Sequence, residues 1–161
     1  MKPYTRLALA ALVAFSAVQA SSPVAGQSSS GGTGGALIVY GDVTYFFGPG
    51  KPKNCTLNNV YRRGEPVGFR MTAINPATGT RDRNTKMVVH LSYGGKKVDV
   101  PMRDRQTEQQ PERTFWVAKW MVPDDAPVGV VKYTVTAQDP QGRKGEFKPF
   151  DVVASQITIV E

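Results

Sequence analysis

In VVKYTVTAQD, residues 130 to 139, Val131, Tyr133, Val135 and Ala137 alternate with lysine, threonine and glutamine. Successive side chains of an extended chain point to opposite faces, so this stretch encodes a strand with one face to bury. The same period of two recurs through most of the sequence, and no window carries a capped stripe of helical period. A chain of short strands, each apolar on one side, must bury those sides against a second layer of strands.

The remaining segments fit this rule. LIVY (37–40) and DVTYFF (42–47) are β-branched and aromatic runs, read as two edge strands or one strand broken at Gly41, and GPGKPKN follows with a density of turn-formers. In PVGFRMTAIN the residues Val67, Phe69, Met71 and Ala73 share a face, and NPATGT turns the chain. MVVHLSY sets Met87, Val89, Leu91 and Tyr93 on one side; Gly94 and Gly95 signal a hairpin into KKVDVPM, where Val98, Val100 and Met102 alternate with polar neighbours. Pro101 pushes that strand toward a sheet edge. RDRQTEQQPER reads as a polar loop. TFWVAKWMV is apolar on both faces, as expected of a strand that is central or half covered. EFKPFDVV and QITIV close the chain. Seven to nine short strands with regular turns predict an all-β fold, an antiparallel β-sandwich of immunoglobulin type.

The first twenty residues predict a destination. Lys2 and Arg6 precede the apolar run Leu7 to Val18, and Val18-Gln19-Ala20 is a small-residue cleavage pattern, so residues 1–20 read as a secretory signal peptide with Ser21 the first mature residue. No later segment is apolar for long enough to cross a membrane, and the expected location is periplasmic or secreted. SSPVAGQSSSGGTGG (21–35) is too poor in apolar side chains to join a core and reads as a flexible tether spanning roughly 20 Å. Ala36 to Glu161 then forms one domain, expected to fold without the tether and without disulfides. Loss of Lys2 and Arg6 takes the formal charge from +7 to +5, and the remaining cations are scattered rather than gathered into a nucleic-acid arm.

VPDDAPVGVVKYTVTAQDPQGRKGEF resembles the end of bacterial immunoglobulin-like and fibronectin-type-III-like domains: a proline-rich turn with Gly129, a strand carrying Tyr133 and Val135, then Asp139 and Gly142 in the last hairpin. The resemblance implies a binding or spacer module without catalytic residues. It also places Tyr133 where such domains often have a tyrosine whose hydroxyl bonds nearby backbone. The paired cysteines of antibody domains are absent, which excludes that family.

Chemistry-bearing residues are sparse. His90 is the sole histidine, on the strand face opposite Met87, Val89, Leu91 and Tyr93, and no G-x-S-x-G elbow accompanies it. No carboxylates pair across an evident cleft, and Asp124 and Asp125 lack the spacing of a calcium loop. The chain therefore reads as no enzyme, needing no cofactor. Cys55 has no partner for an internal disulfide, and the simplest expectation is a buried, reduced, structural thiol with Leu57 and Val60 packing beside it. Two sharper readings are a disulfide to a partner chain and a soft-metal site for Cu(I) built from Cys55, His90 and a methionine such as Met87, with Met71, Met102 and Met121 as other choices. Trp116 and Trp120 share a face about 13 Å apart, a spacing suited to a sugar platform but also to a buried core. Arg62 and Arg63 are surface cations.

The sequence-level function is a non-catalytic exported interaction or accessory module for a protein or anionic envelope partner, with Arg62, Arg63, Trp116 and Trp120 as candidate binding residues. A copper-binding periplasmic protein and a carbohydrate-binding module are the alternatives.

Overall fold

A computed structural model describes residues 35–161, so the expected signal peptide (1–20) and nearly all of the expected tether (21–35) lie outside the described residues. The described chain is almost entirely strand and turn. In chain order the strands are β1 (Ile38–Tyr45), β2 (Val60–Arg62), β3 (Pro66–Ile74), β4 (Lys86–Tyr93), β5 (Lys96–Pro101), β6 (Arg103–Asp104), β7 (Trp116–Met121), β8 (Gly129–Gln138), β9 (Lys144–Phe147) and β10 (Ile157–Val160). A single 3-10 turn, Val153–Ser155, precedes β10.

Two sheets result. The first runs β1-β3-β7-β6, and the second runs β2-β10-β8-β4-β5 with β9 paired to β8. All pairings are antiparallel except β2 with β10, which are parallel. The expectation of a purely antiparallel arrangement is corrected at that pair. Three residues of β2 and the last residues of the chain carry too short a pattern to announce a parallel partner far away in sequence.

The alternation places the core where the sequence put it. Val67, Phe69, Met71 and Ala73 of β3, Met87, Val89, Leu91 and Tyr93 of β4, and Val131, Tyr133, Val135 and Ala137 of β8 are all buried in one cluster with Trp116, Ala118 and Trp120 of β7. Side chains of the two sheets meet there: the rings of Phe69 and Tyr133 lie 5.5 Å apart, and those of Tyr93 and Trp120 5.2 Å apart. β7 is apolar on both faces, as expected, because Val117 is buried on the outer face between Arg70 and Arg103, its partners on the neighbouring strands.

Gly41 does not break β1. The strand pairs with β3 along its whole length, and Gly41 sits opposite Met71 where the two chains run so close that a Cβ would collide with the Arg70 carbonyl oxygen. Absence of a side chain lets the backbone through.

Around Cys55 the expectation fails. Cys55 is exposed, in a loop held by its N–H donating to the Tyr45 carbonyl at 2.8 Å, and its backbone adopts the left-handed conformation with φ of 62°. Leu57 and Val60 are exposed as well, and Tyr61 is the residue that enters the core. With Tyr61 facing in, period two sends Val60 and Arg62 outward. The Tyr61 hydroxyl donates to the Asn58 carbonyl at 3.0 Å, so the tyrosine-to-backbone bond that the resemblance implied for Tyr133 is made by Tyr61 instead.

Candidate functional site

On the outer face of the second sheet, polar side chains of β4, β5 and β8 converge on His90. The registers align Asp99 of β5, His90 of β4 and Thr134 of β8 in one row, and Lys97, Ser92 and Lys132 in the next. His90 Nδ1 lies 2.7 Å from Asp99 Oδ1, and Nε2 lies 2.8 Å from Thr136 Oγ1. A carboxylate only accepts, so Nδ1–H donates to Asp99, and in the neutral ring Nε2 accepts from the threonine hydroxyl. This chain of bonds ties three adjacent strands together. It has the order of a proton relay, but Thr136 sits in a strand paired on both sides, where backbone N–H groups that would serve an oxyanion are committed to the ladders.

A groove of about 390 Å³ opens beside His90, walled by Lys97, Asp99, Lys132 and Thr134 on the sheet and by Lys148 and Asp151 on the β9–β10 connection. A second depression of about 750 Å³ continues past Thr136, bordered by Lys86, Gln138, Lys144 and Glu146. Among the described residues none of these five lysines lies within ion-pair distance of a carboxylate, whereas Lys96 on the rim is paired with Asp125 at 2.7 Å. The hydrogen bond and charge of Lys96 hold Asp125 below the usual carboxylate range. Set against the acids of the same face, Asp99, Asp151 and Glu146, the five lysines still leave a surplus of positive charge. Arg62, outward on β2 and in register with Val160, extends the same face to its edge. Arg63 has a different role: its Nε donates to the Ala126 carbonyl at 2.8 Å and pins a turn.

The other sequence candidates are dispersed. Met87 is buried on the inner face of β4 and His90 lies on the outer face, since residues three apart on a strand point to opposite sides. Cys55 leans on β1, a strand of the other sheet. Met71 is buried, and Met121 is exposed on the outer face of the first sheet. The structure therefore does not bring Cys55, His90 and Met87 together, and among the described residues no three histidine, cysteine or acidic side chains are grouped for a metal. Trp116 and Trp120 do share a face, but it is the inner one, and both are buried in the core. As positioned they offer no surface to a sugar ring.

Sequence reasoning missed Lys97, Lys132 and Lys148 as a group. The parity of Lys97 and Lys132 already placed them outward, but only the strand order places them on either side of Ser92.

No protein-family model matches this chain, and no curated protein matches it. Among the described residues no helix is long and apolar enough to cross a membrane.

Proposed function

We propose that this chain is an exported immunoglobulin-like β-sandwich that acts as a non-catalytic binding module, holding an anionic partner on the outer face of its second sheet. The strand order supports the fold reading. Taking β1, β3, β4, β6, β7, β8 and β10 as strands A to G, the orders β1-β3-β7-β6 and β4-β8-β10 match the A-B-E-D and C-F-G sheets of constant-type domains. The chain departs from antibody domains in lacking the cysteine pair and in carrying Trp116 on β7 rather than a tryptophan on β4.

The observation that carries the functional reading is the set of unpaired lysines around one groove. Lys97 and Lys132 lie two strand spacings apart, about 10 Å, so their direct repulsion is modest, but their fields add over the groove and favour a negatively charged occupant. The test is capture of partners from the envelope of the producing cell at rising salt, comparing the native chain with Lys97→Glu/Lys132→Glu/Lys148→Glu. Salt-sensitive capture that the triple variant loses is the expected result. Capture that is indifferent to salt and to the three substitutions would move the site elsewhere.

A further inference from the structure

The connection from β9 to β10 carries three apolar side chains that the fold leaves outside. Phe150 is 81% exposed, Val152 56% and Val153 65%. β9 ends at Phe147, and Pro149, itself buried, has no N–H to extend the ladder, so the segment leaves the sheet and carries Phe150, Val152 and Val153 outside.

The segment is held in place. Gln156 is buried and its Nε2 donates to the Phe150 carbonyl at 2.6 Å; Asn59 Nδ2 donates to the Ala154 carbonyl at 3.1 Å; and the Ser155 N–H donates to the Val152 carbonyl at 2.9 Å. Its polar residues turn the other way, since Lys148 and Asp151 line the groove and Phe150, Val152 and Val153 do not. The result is a fixed apolar tip beside an unpaired lysine cluster.

We propose that this loop docks the module on an anionic lipid surface, with Phe150, Val152 and Val153 entering the headgroup boundary while Lys97, Lys132 and Lys148 meet lipid phosphates. The inference rests on the reading that the basic face takes an anionic partner, and it names that partner. Two features favour a bilayer over a protein. Protein interfaces are depleted in lysine, the only cation of this cluster, whereas lysine attracts lipid phosphate as a point charge without demanding a fixed fork geometry. The apolar groups also protrude from the surface rather than line a recess, the form in which an apolar face enters the acyl boundary.

The experiment uses the full chain with Phe150→Trp as reporter, since Trp116 and Trp120 are buried and a membrane contact at the loop should leave their emission unchanged. Partition is measured by co-sedimentation with phosphatidylglycerol-containing vesicles, with phosphatidylcholine vesicles, and against soluble dextran sulfate. Variants are compared in otherwise identical chains, so any contribution of other segments cancels. Anionic vesicles are expected to shift the emission of the introduced indole to the blue, and brominated lipid to quench it. Phe150→Asp should lower partition about tenfold or more, and each Lys→Gln change at 97, 132 or 148 about fivefold. Val152→Ser/Val153→Ser gives a second, milder loss. Vesicle binding that ignores both the Phe150 and the valine variants overturns the loop assignment. Binding to dextran sulfate or to an acidic protein without binding to vesicles overturns the lipid inference and leaves the basic-face reading standing. Binding to no anionic probe overturns both.

Discussion

The guanidinium of Arg81 lies over the indole of Trp116, with Cζ 4.1 Å from the ring centroid. The same side chain donates to Asp104 Oδ1 and to Gln106 Oε1, both at 2.5 Å, while Arg83 Nε donates to Asp104 Oδ2 at 2.8 Å. One arginine thus covers Trp116, the largest fully buried side chain, and staples the loop after β3 to the segment beginning at β6. Arg81→Ala should destabilise the fold by about 2–3 kcal/mol in urea denaturation, through loss of the stacked cation and of a half-buried ion pair. Arg81→Lys keeps the charge without the planar fork and should recover less than half of that loss. A deficit within the error of the native curve would remove the staple from the account.

Asp104 also makes stability depend on acid. Burial by itself raises its pKa, but hydrogen bonds from Arg83, Arg81 and the Gln106 N–H outweigh burial and hold it below the usual carboxylate range. A carboxyl whose pKa is lower in the folded than in the unfolded chain contributes stability above the unfolded value of about 3.9 and loses it as pH falls through the folded value. Stability should therefore decline as pH is lowered from about 4, and Asp104→Asn should show a shallower decline from a lower plateau. Chemical denaturation at a series of pH values reads this directly; parallel curves for the two proteins would assign the acid sensitivity to other groups.

At the other end of the scale, burial first of all pushes the Tyr133 hydroxyl up to about 12, with the Asp42 charge adding to the effect. Burial raises Tyr61 further, with Tyr45 nearby, although its hydrogen-bonding surroundings at Asn58 oppose the shift. Raised values in the fold mean stability that is complete below the unfolded tyrosine value of about 10 and is lost as pH climbs through the folded values. Absorbance at 295 nm should register the exposed tyrosines first, with Tyr61 and Tyr133 ionising only alongside unfolding. Tyr61→Phe, which removes only the bond to Asn58, should cost about 1 kcal/mol.

Gly41 and the β2–β10 pair mark where the sequence was legible and where it was not. Period two assigned Val67, Phe69, Met87, Leu91, Val131 and Val135 to the core without error, because each choice is local to its strand. Which strands lie side by side is a long-range property, and two-residue β6 or three-residue β2 has no periodicity to read. Gly41 looked like a break because local propensity disfavours glycine in a strand, whereas the decisive factor is the neighbouring chain. For the site, parity placed His90, Lys97 and Lys132 outward, but their convergence required the β5-β4-β8 order. The close passage at Gly41 has its own consequence. A Cβ there meets the Arg70 carbonyl and the Met71 Cα, the latter at 2.7 Å, and both are backbone, so Gly41→Ala should cost about 3 kcal/mol or displace the edge strand. A thermal melt unchanged by that substitution would mean that β1 does not pair there.

Cys55 is open to solvent, which reverses what its unpaired state suggested. A small apolar side chain would be expected inside, yet the chain from Gly48 to Thr56 is a run of turns closed by the Cys55 N–H on Tyr45, and Cys55 occupies a left-handed position that favours glycine. Its side chain makes no core contact whose loss would matter, so Cys55→Ser should change stability by no more than about 0.5 kcal/mol. Cys55→Gly should instead stabilise by up to about 1 kcal/mol, because relief of the Cβ strain at φ of 62° exceeds the entropy that glycine adds to the unfolded chain. The direct measurement is thiol labelling of the folded protein with and without denaturant. Comparable rates in the two conditions are expected from an exposed thiol; labelling that waits for unfolding would return Cys55 to the interior and with it the structural role that the sequence first suggested.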